Sequence, residues 1–138
     1  MRFYPPATIA DLEQPVLSVH RALEFVEPLN ASREEIEVAG EQVLYEAAFA
    51  SLELVYNLDA APLRVVIVAE GERSSLDWSN AESIHIDGST GQALIARLQQ
   101  TDSQLEADEL VAQIDSEPLE WFSPAERWQI LSTYSENK

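Results

Sequence analysis

Ser51-Leu52-Glu53-Leu54-Val55-Tyr56-Asn57-Leu58, then Asp59-Ala60-Ala61-Pro62, then Leu63-Arg64-Val65-Val66-Ile67-Val68-Ala69: the reading of this stretch decides the fold. The first segment largely alternates apolar and polar residues with period two, as a half-buried strand does. The second has turn composition. The third is a β-branched run bounded by Glu70-Gly71-Glu72, which suits a buried strand. Read together they predict an antiparallel hairpin over residues 51–70.

Downstream, Ser83-Ile84-His85-Ile86-Asp87-Gly88 reads as a short strand at 83–87 ending in an Asp-Gly turn, with both isoleucines toward the core and His85 on the other side. Three helices are expected after it. One spans 92–99. One spans 102–114, behind a Thr101…Gln104 capping pattern. The last has Ser123 as N-cap, Pro124 at the first helical position and Glu126 completing the box, and Trp128, Leu131 and Tyr134 share one face.

Upstream the pattern is less uniform. Pro5 and Pro6 remove two amide donors, so residues 1–14 read as an extended arm. Pro15 to Val26 reads as a helix whose stripe is Val16, Val19, Leu23 and Val26, ended by Glu27-Pro28. Ser32 with Glu35 is a capping box that favours a helix over 33–48; a strand pair turning at Ala39-Gly40 is the alternative, since Ile36 and Val38 also alternate with Glu35 and Glu37. The fold class on either reading is α+β in one domain, residues 1–138: a small antiparallel sheet packed against N-terminal and C-terminal helices.

Composition narrows function further. The 138 residues are 46% hydrophobic, enough for a core in a domain of this size. Asp plus Glu number 25 against 8 Lys plus Arg, a formal net charge of −17. Such a surface repels phosphate backbones and anionic lipid, so direct nucleic-acid binding is not expected; a basic partner is steered toward it. The absence of cysteine rules out disulfides and thiolate chemistry and favours the cytoplasm. The start Met1-Arg2-Phe3-Tyr4-Pro5-Pro6 has no signal-peptide core, Asn30-Ala31-Ser32 is a chance glycosylation match, and no run is long enough to insert in a membrane.

Chemistry-bearing motifs are sparse. His20 stands alone. His85 and Asp87 share a strand face but are two ligands where a metal needs three or four, so neither metal nor cofactor is expected. The acid runs Glu34-Glu35 with Glu37, and Glu106 with Asp108-Glu109, read as solvated helix faces. Ser135-Glu136-Asn137-Lys138 is a chance nucleophile motif at a terminus, and Gly88-Ser89-Thr90-Gly91 reads as a turn plus N-cap without the lysine of a phosphate loop.

Charge clustering is more informative. Between Leu98 and Glu126 there is no basic residue, and the window holds Asp102, Glu106, Asp108, Glu109, Asp115, Glu117 and Glu120, with Trp121-Phe122 near its end. Acids around exposed aromatics suit docking on a basic surface; the alternative is that Trp121 and Phe122 only pack the last helix on the core. The expected function is a non-catalytic acidic protein-binding module (a complex subunit, assembly factor or inhibitor). The alternatives are a nucleic-acid mimic that inhibits a DNA- or RNA-binding protein and a small carboxylate-dependent enzyme. An exposed Trp121 on an acidic face would mark docking, and a deep pocket around His85 and Asp87 would mark the enzyme.

Overall fold

The computed structural model describes residues 1–17 and 22–135. They form an α+β fold, in which a six-stranded antiparallel sheet is packed against four α-helices. In chain order the elements are β1 (Arg2–Tyr4), β2 (Pro6–Ala7), β3 (Leu23–Phe25), α1 (Arg33–Leu58), β4 (Val65–Glu70), β5 (Ala81–Asp87), α2 (Ser89–Gln100), α3 (Gln104–Asp115), β6 (Leu119–Phe122) and α4 (Arg127–Ser135). The sheet order is β3-β1-β4-β5-β6, with β2 also pairing with β4.

The capping box at Ser32 forms as its residues dictate: the Glu35 amide donates to Ser32 Oγ at 3.2 Å, and the Ser32 amide to Glu35 Oε1 at 3.3 Å. From there the helix does not stop at residue 48. It runs without a break to Leu58 and ends on Asp59, which takes a left-handed conformation with φ 49°. The expected hairpin over 51–70 is therefore corrected: its first arm is the last two turns of α1. The period-two alternation of 51–58 is incidental. Burial there follows the helical period, with Ala47, Ala48, Ser51, Leu52 and Val55 inside, while Tyr56 and Leu58 of the supposed strand face are exposed. Leucine, glutamate and alanine are good helix formers, and extending a capped helix adds one hydrogen bond per residue, whereas a new strand needs a turn first. The turn at Asp59-Ala60-Ala61-Pro62 and the strand after it are where the residues place them.

The second arm, β4, is the centre of the sheet. Its continuous apolar run is buried on both faces, as such runs require. Val65, Ile67 and Ala69 enter one cluster with Phe3, Ile84, Ile86, Ile130 and Leu131; Val66 and Val68 enter another with Tyr4, Ala47 and Ala48. Its partners are β5 on one side and β1 with β2 on the other. Residues 1–14 supply two strands and a 3-10 turn that dock on the sheet: Phe3, Tyr4 and Ala7 are buried, and the carbonyl of Pro5 accepts from the Ile67 amide at 3.2 Å. The prolines lack donors but keep acceptors, and that suffices for this side of the ladder.

The helix expected over 15–26 is also corrected. Leu23–Phe25 is β3, paired with β1 through Tyr4↔Leu23, Phe3↔Glu24 and Arg2↔Phe25, and Val16 forms an isolated bridge with Asp77. The outer edge of β1 needs a hydrogen-bonding partner, and a weak helical stripe does not outweigh it. Val19 and His20 lie outside the described residues.

The sheet's two faces are covered unequally. Ile9 and Leu12 of a short 3-10 turn, with Ile130 and Leu131 of α4, close the lower face. On the upper face α1 lies across β1, β2, β3 and β4. The second half of α1 packs with α2 and α3 around Leu52, Val55, Ile95, Leu98, Leu110 and Ile114. Ser51, buried in mid-helix, ties the layers together: its hydroxyl donates to the Ala7 carbonyl at 2.6 Å and accepts from the Val65 amide at 2.9 Å. α3 takes Ser103 rather than Thr101 as its cap, with the Glu106 amide donating to Ser103 Oγ at 3.2 Å. No helix among the described residues is long and apolar enough to cross a membrane.

Candidate functional site

Because α1 covers only one half of the upper face, the β5–β6 half stays open. Ser83 and His85 of β5 and Trp121 of β6 face that opening; His85 and Trp121 are cross-strand partners. Opposite them stand Ile36, Gly40 and Leu44 of α1, with Tyr4, Phe25 and Val68 beneath. The result is a groove of about 510 Å³. Gly40 of α1 faces the floor of the groove, where a β-carbon would make ordinary van der Waals contact with the Tyr4 hydroxyl at 3.6 Å.

Trp121 is 61% exposed. On a four-residue strand that ends the sheet, a tryptophan left this open covers little of the core, and large aromatics are usually buried. Phe122, one residue on, points to the lower face and packs against its cluster. The two aromatics therefore do not act as a pair: successive side chains on a strand alternate, so Trp121 serves the groove and Phe122 the core.

Carboxylates rim the groove. Glu37 and Glu41 come from α1 and Glu82 from β5. The lining cation, Arg2, is held by Glu82 at 3.3 Å and Glu70 at 3.8 Å. Glu37 lies 3.5 Å from exposed Arg33, a pair worth little in water. Glu41 has no ion pair among the described residues. His85 adds no charge at neutral pH, because burial holds its pKa below the ordinary value. The groove thus has an aromatic and aliphatic floor with a net acidic rim.

The nine acids and aromatics singled out from the sequence do not converge on one spot. Asp102 precedes α3, and Glu106, Asp108 and Glu109 ride on it; Glu106 is 3.4 Å from Arg97 and Asp108 accepts from Gln104 at 2.8 Å. Asp115 ends α3 beside Tyr45 and Phe49 of α1. The Glu117 carbonyl accepts from Arg64 at 3.1 Å. Glu120, on β6, lies against Gly88. Only Trp121 of the nine lines the groove. Tyr4 and Phe25 of the groove reach Trp121 only through the β1–β3, β1–β4, β4–β5 and β5–β6 pairings, and Glu37 and Glu41 through the packing of α1 on the sheet; none of the four carries a local motif.

The His85–Asp87 pair separates in a different way. Both lie on the upper face of β5, but Asp87 is 0% exposed and bound to Arg64, itself 1% exposed. Arg64 Nη2 donates to Asp87 Oδ1 at 2.7 Å, Arg64 Nε to Oδ2 at 2.9 Å, and the Arg64 amide to Oδ2 at 2.8 Å. This two-pronged, fully hydrogen-bonded pair fastens the start of β4 to the end of β5. α2 begins directly above it, and a β-carbon on Gly91 would fall 2.2 Å from Asp87 Oδ1. The Gly88-Ser89-Thr90-Gly91 turn accordingly supplies the start of α2 and space for the protein's own carboxylate. His85 instead shares a hydrogen bond of 2.9 Å with Ser83 Oγ. A hydroxyl–imidazole contact can orient either group, and Asp87 is committed elsewhere, so it does not align the imidazole. Among the described residues, no three His, Asp or Glu side chains are grouped to hold a metal ion.

The other expected aromatic face also rearranges. Leu131 is buried and Tyr134 half-buried, whereas Trp128 is 61% exposed. The Arg127 guanidinium lies 4.5 Å from the Trp128 ring and 4.3 Å from the Trp78 ring, so the exposed Trp128 is engaged by a neighbouring cation.

Comparison with protein-family models, with curated proteins and with solved structures finds no match to this chain.

Proposed function

We propose that the protein is a binding module that docks an extended, basic segment of a protein partner in the groove between α1 and the open half of the sheet. The observation that carries this reading is the exposed Trp121 at an apolar groove rimmed by Glu37, Glu41 and Glu82. Aromatic anchors contribute heavily to protein interfaces, and a cation over a tryptophan face gains about 0.5–2 kcal/mol as it loses water. The formal charge of −17 supplies long-range steering of the same sign. β6 ends the sheet among the described residues, so a segment that leaves the groove past Trp121 can continue as an added strand on its outer edge.

The test uses a synthetic peptide of alternating arginine and threonine and an isosteric one of alternating glutamate and threonine, titrated calorimetrically into the protein. Binding of the arginine peptide is expected, weakening roughly tenfold or more between about 50 and 500 mM salt. Trp121→Ala should weaken it by about tenfold, an ordinary loss for an interface anchor. Glu37→Gln with Glu41→Gln should weaken it and flatten the salt dependence. Equal affinity of wild type and Trp121→Ala for the arginine peptide, or equal binding of the two peptides, would overturn the reading.

A further inference from the structure

A second surface meets the Trp121 groove only at Glu41 and otherwise faces away from it. Val38, Tyr45, Phe49 and Tyr56 follow one another on α1 at steps of seven, four and seven residues. At about 100° per residue, all four fall within roughly 40° of one line along the helix. They are 55%, 44%, 45% and 53% exposed. This stripe borders the buried face of α1 on the side of α3. Between Phe49 and Tyr56 of α1 and Ala107 and Val111 of α3 runs a groove of about 320 Å³, floored by Leu52 and Leu98. It continues past Phe49 into a recess of about 710 Å³ lined by Val38 and Tyr45.

Its charge is of one sign. Glu53 and Asp108 flank the groove, and Glu41, Glu46 and Asp115 flank the recess. The cation present, Arg64, is buried and neutralised by Asp87. Placing a second copy of the chain here would set these carboxylates against their own counterparts, which opposes self-association.

From this we infer that the α1–α3 face receives an amphipathic helix with a basic flank, supplied by a protein partner. The stripe is about 27 Å long from Val38 to Tyr56, five helical turns, matching a helix of about 18 residues. Such a helix presents anchors at i, i+4, i+7 and i+11 to the aromatic stripe and sets lysines or arginines against the flanking carboxylates. This inference does not depend on the Trp121 groove.

Two synthetic helical peptides of about 18 residues, with the same leucine stripe and either lysine or glutamate elsewhere, provide the probe. Calorimetric titration should show the lysine peptide binding at least tenfold more tightly than the glutamate peptide. Phe49→Glu should weaken the lysine peptide by tenfold or more. That variant makes the surface more acidic, so simple charge adhesion predicts the opposite change. Tyr56→Ser should weaken binding in the same direction, with circular dichroism confirming that α1 is intact in both variants. Trp121→Ala should leave the lysine peptide's affinity unchanged, which separates this surface from the other groove. Absence of binding, equal binding of both peptides, or an undiminished affinity in Phe49→Glu and Tyr56→Ser overturns the inference. So does a concentration-dependent dimer in sedimentation that Phe49→Glu dissolves, since it assigns the stripe to a second copy.

Discussion

The two faces of the sheet are built from alternating residues of the same strands, yet one is closed and the other is half open. On the lower face Ile84 and Ile86 of β5 meet Ile130 and Leu131 across a continuous cluster. On the upper face the next residues along β5, Ser83 and His85, look into a groove beside a tryptophan. A strand changes its environment completely every 3.3 Å or so, because successive side chains leave by opposite faces. The lower face needed only apolar residues and found covering elements at both chain ends. The upper face was left with a polar strand that α1 does not reach. The contrast teaches that stability and recognition are divided here by side of the sheet rather than by segment of the chain.

The contrast is most sharply broken at the end of β5, where the upper face is sealed over Asp87. Removing one partner of the buried Arg64–Asp87 pair leaves the other charge unpaired, which costs about 3–5 kcal/mol. Arg64→Met should therefore lower unfolding free energy by that amount in urea titrations. Arg64→Met with Asp87→Leu should recover much of it, because no buried charge then remains. A loss under about 1 kcal/mol in the single variant would mean that this end of the face admits water.

The division itself is tested by a pair of neighbours. Ile84→Ala opens a cavity in the lower face and should cost about 2–5 kcal/mol. Trp121→Ala, on the open side one strand away, should change stability by about 0.5 kcal/mol or less, as exposed substitutions do. Similar values for the two would mean that Trp121 is part of the core and that the upper groove is closed.

The smallest effect is a pH dependence. His85 faces Arg2, Tyr4, Glu37, Glu41 and Glu82 across the groove, and burial depresses its pKa. The unfolded imidazole, with pKa about 6.5, then binds its proton more readily than the folded one. The folded state is accordingly at no disadvantage above the unfolded pKa and loses stability as pH falls below it, toward the folded pKa. In His85→Gln this contribution is gone, while the titrating carboxylates are common to both proteins. The difference in unfolding free energy between wild type and variant should be flat above about pH 7.5 and should move against wild type below about pH 6.5. A difference that stays flat throughout would place His85 in free exchange with water.

How much of this could be read beforehand varies with the range of the interaction. The Ser32 box, the Ser123 cap, the turn at 59–62 and the β5 alternation are contacts within four residues, and each is where the residues imply. The 51–58 segment supports two periods in its composition, and only the packing of Ser51, Leu52 and Val55 chooses between them. The Val38–Tyr56 stripe follows from that choice, since its spacing exists only when 33–58 is one helix. Of the groove, Trp121 was legible as an aromatic in an acidic window. Tyr4, Phe25, Glu37 and Glu41 were not, because strand pairings 12 to 68 residues apart in sequence, and the packing of α1 on the sheet, join them to it.

What the residues determined unaided is the α+β class, the strand nature of 65–69 and 83–87, the start of α1 at Ser32 and the sign of the surface charge. These follow from short-range geometry, period and composition. Tertiary structure alone decided that residues 2–7 and 23–25 are strands, that Asp87 belongs to Arg64 rather than to His85, and that α1 stops short of covering β5 and β6. Each is a choice among partners distant along the chain, settled by which backbone edges and buried charges must be satisfied, and no local pattern records it.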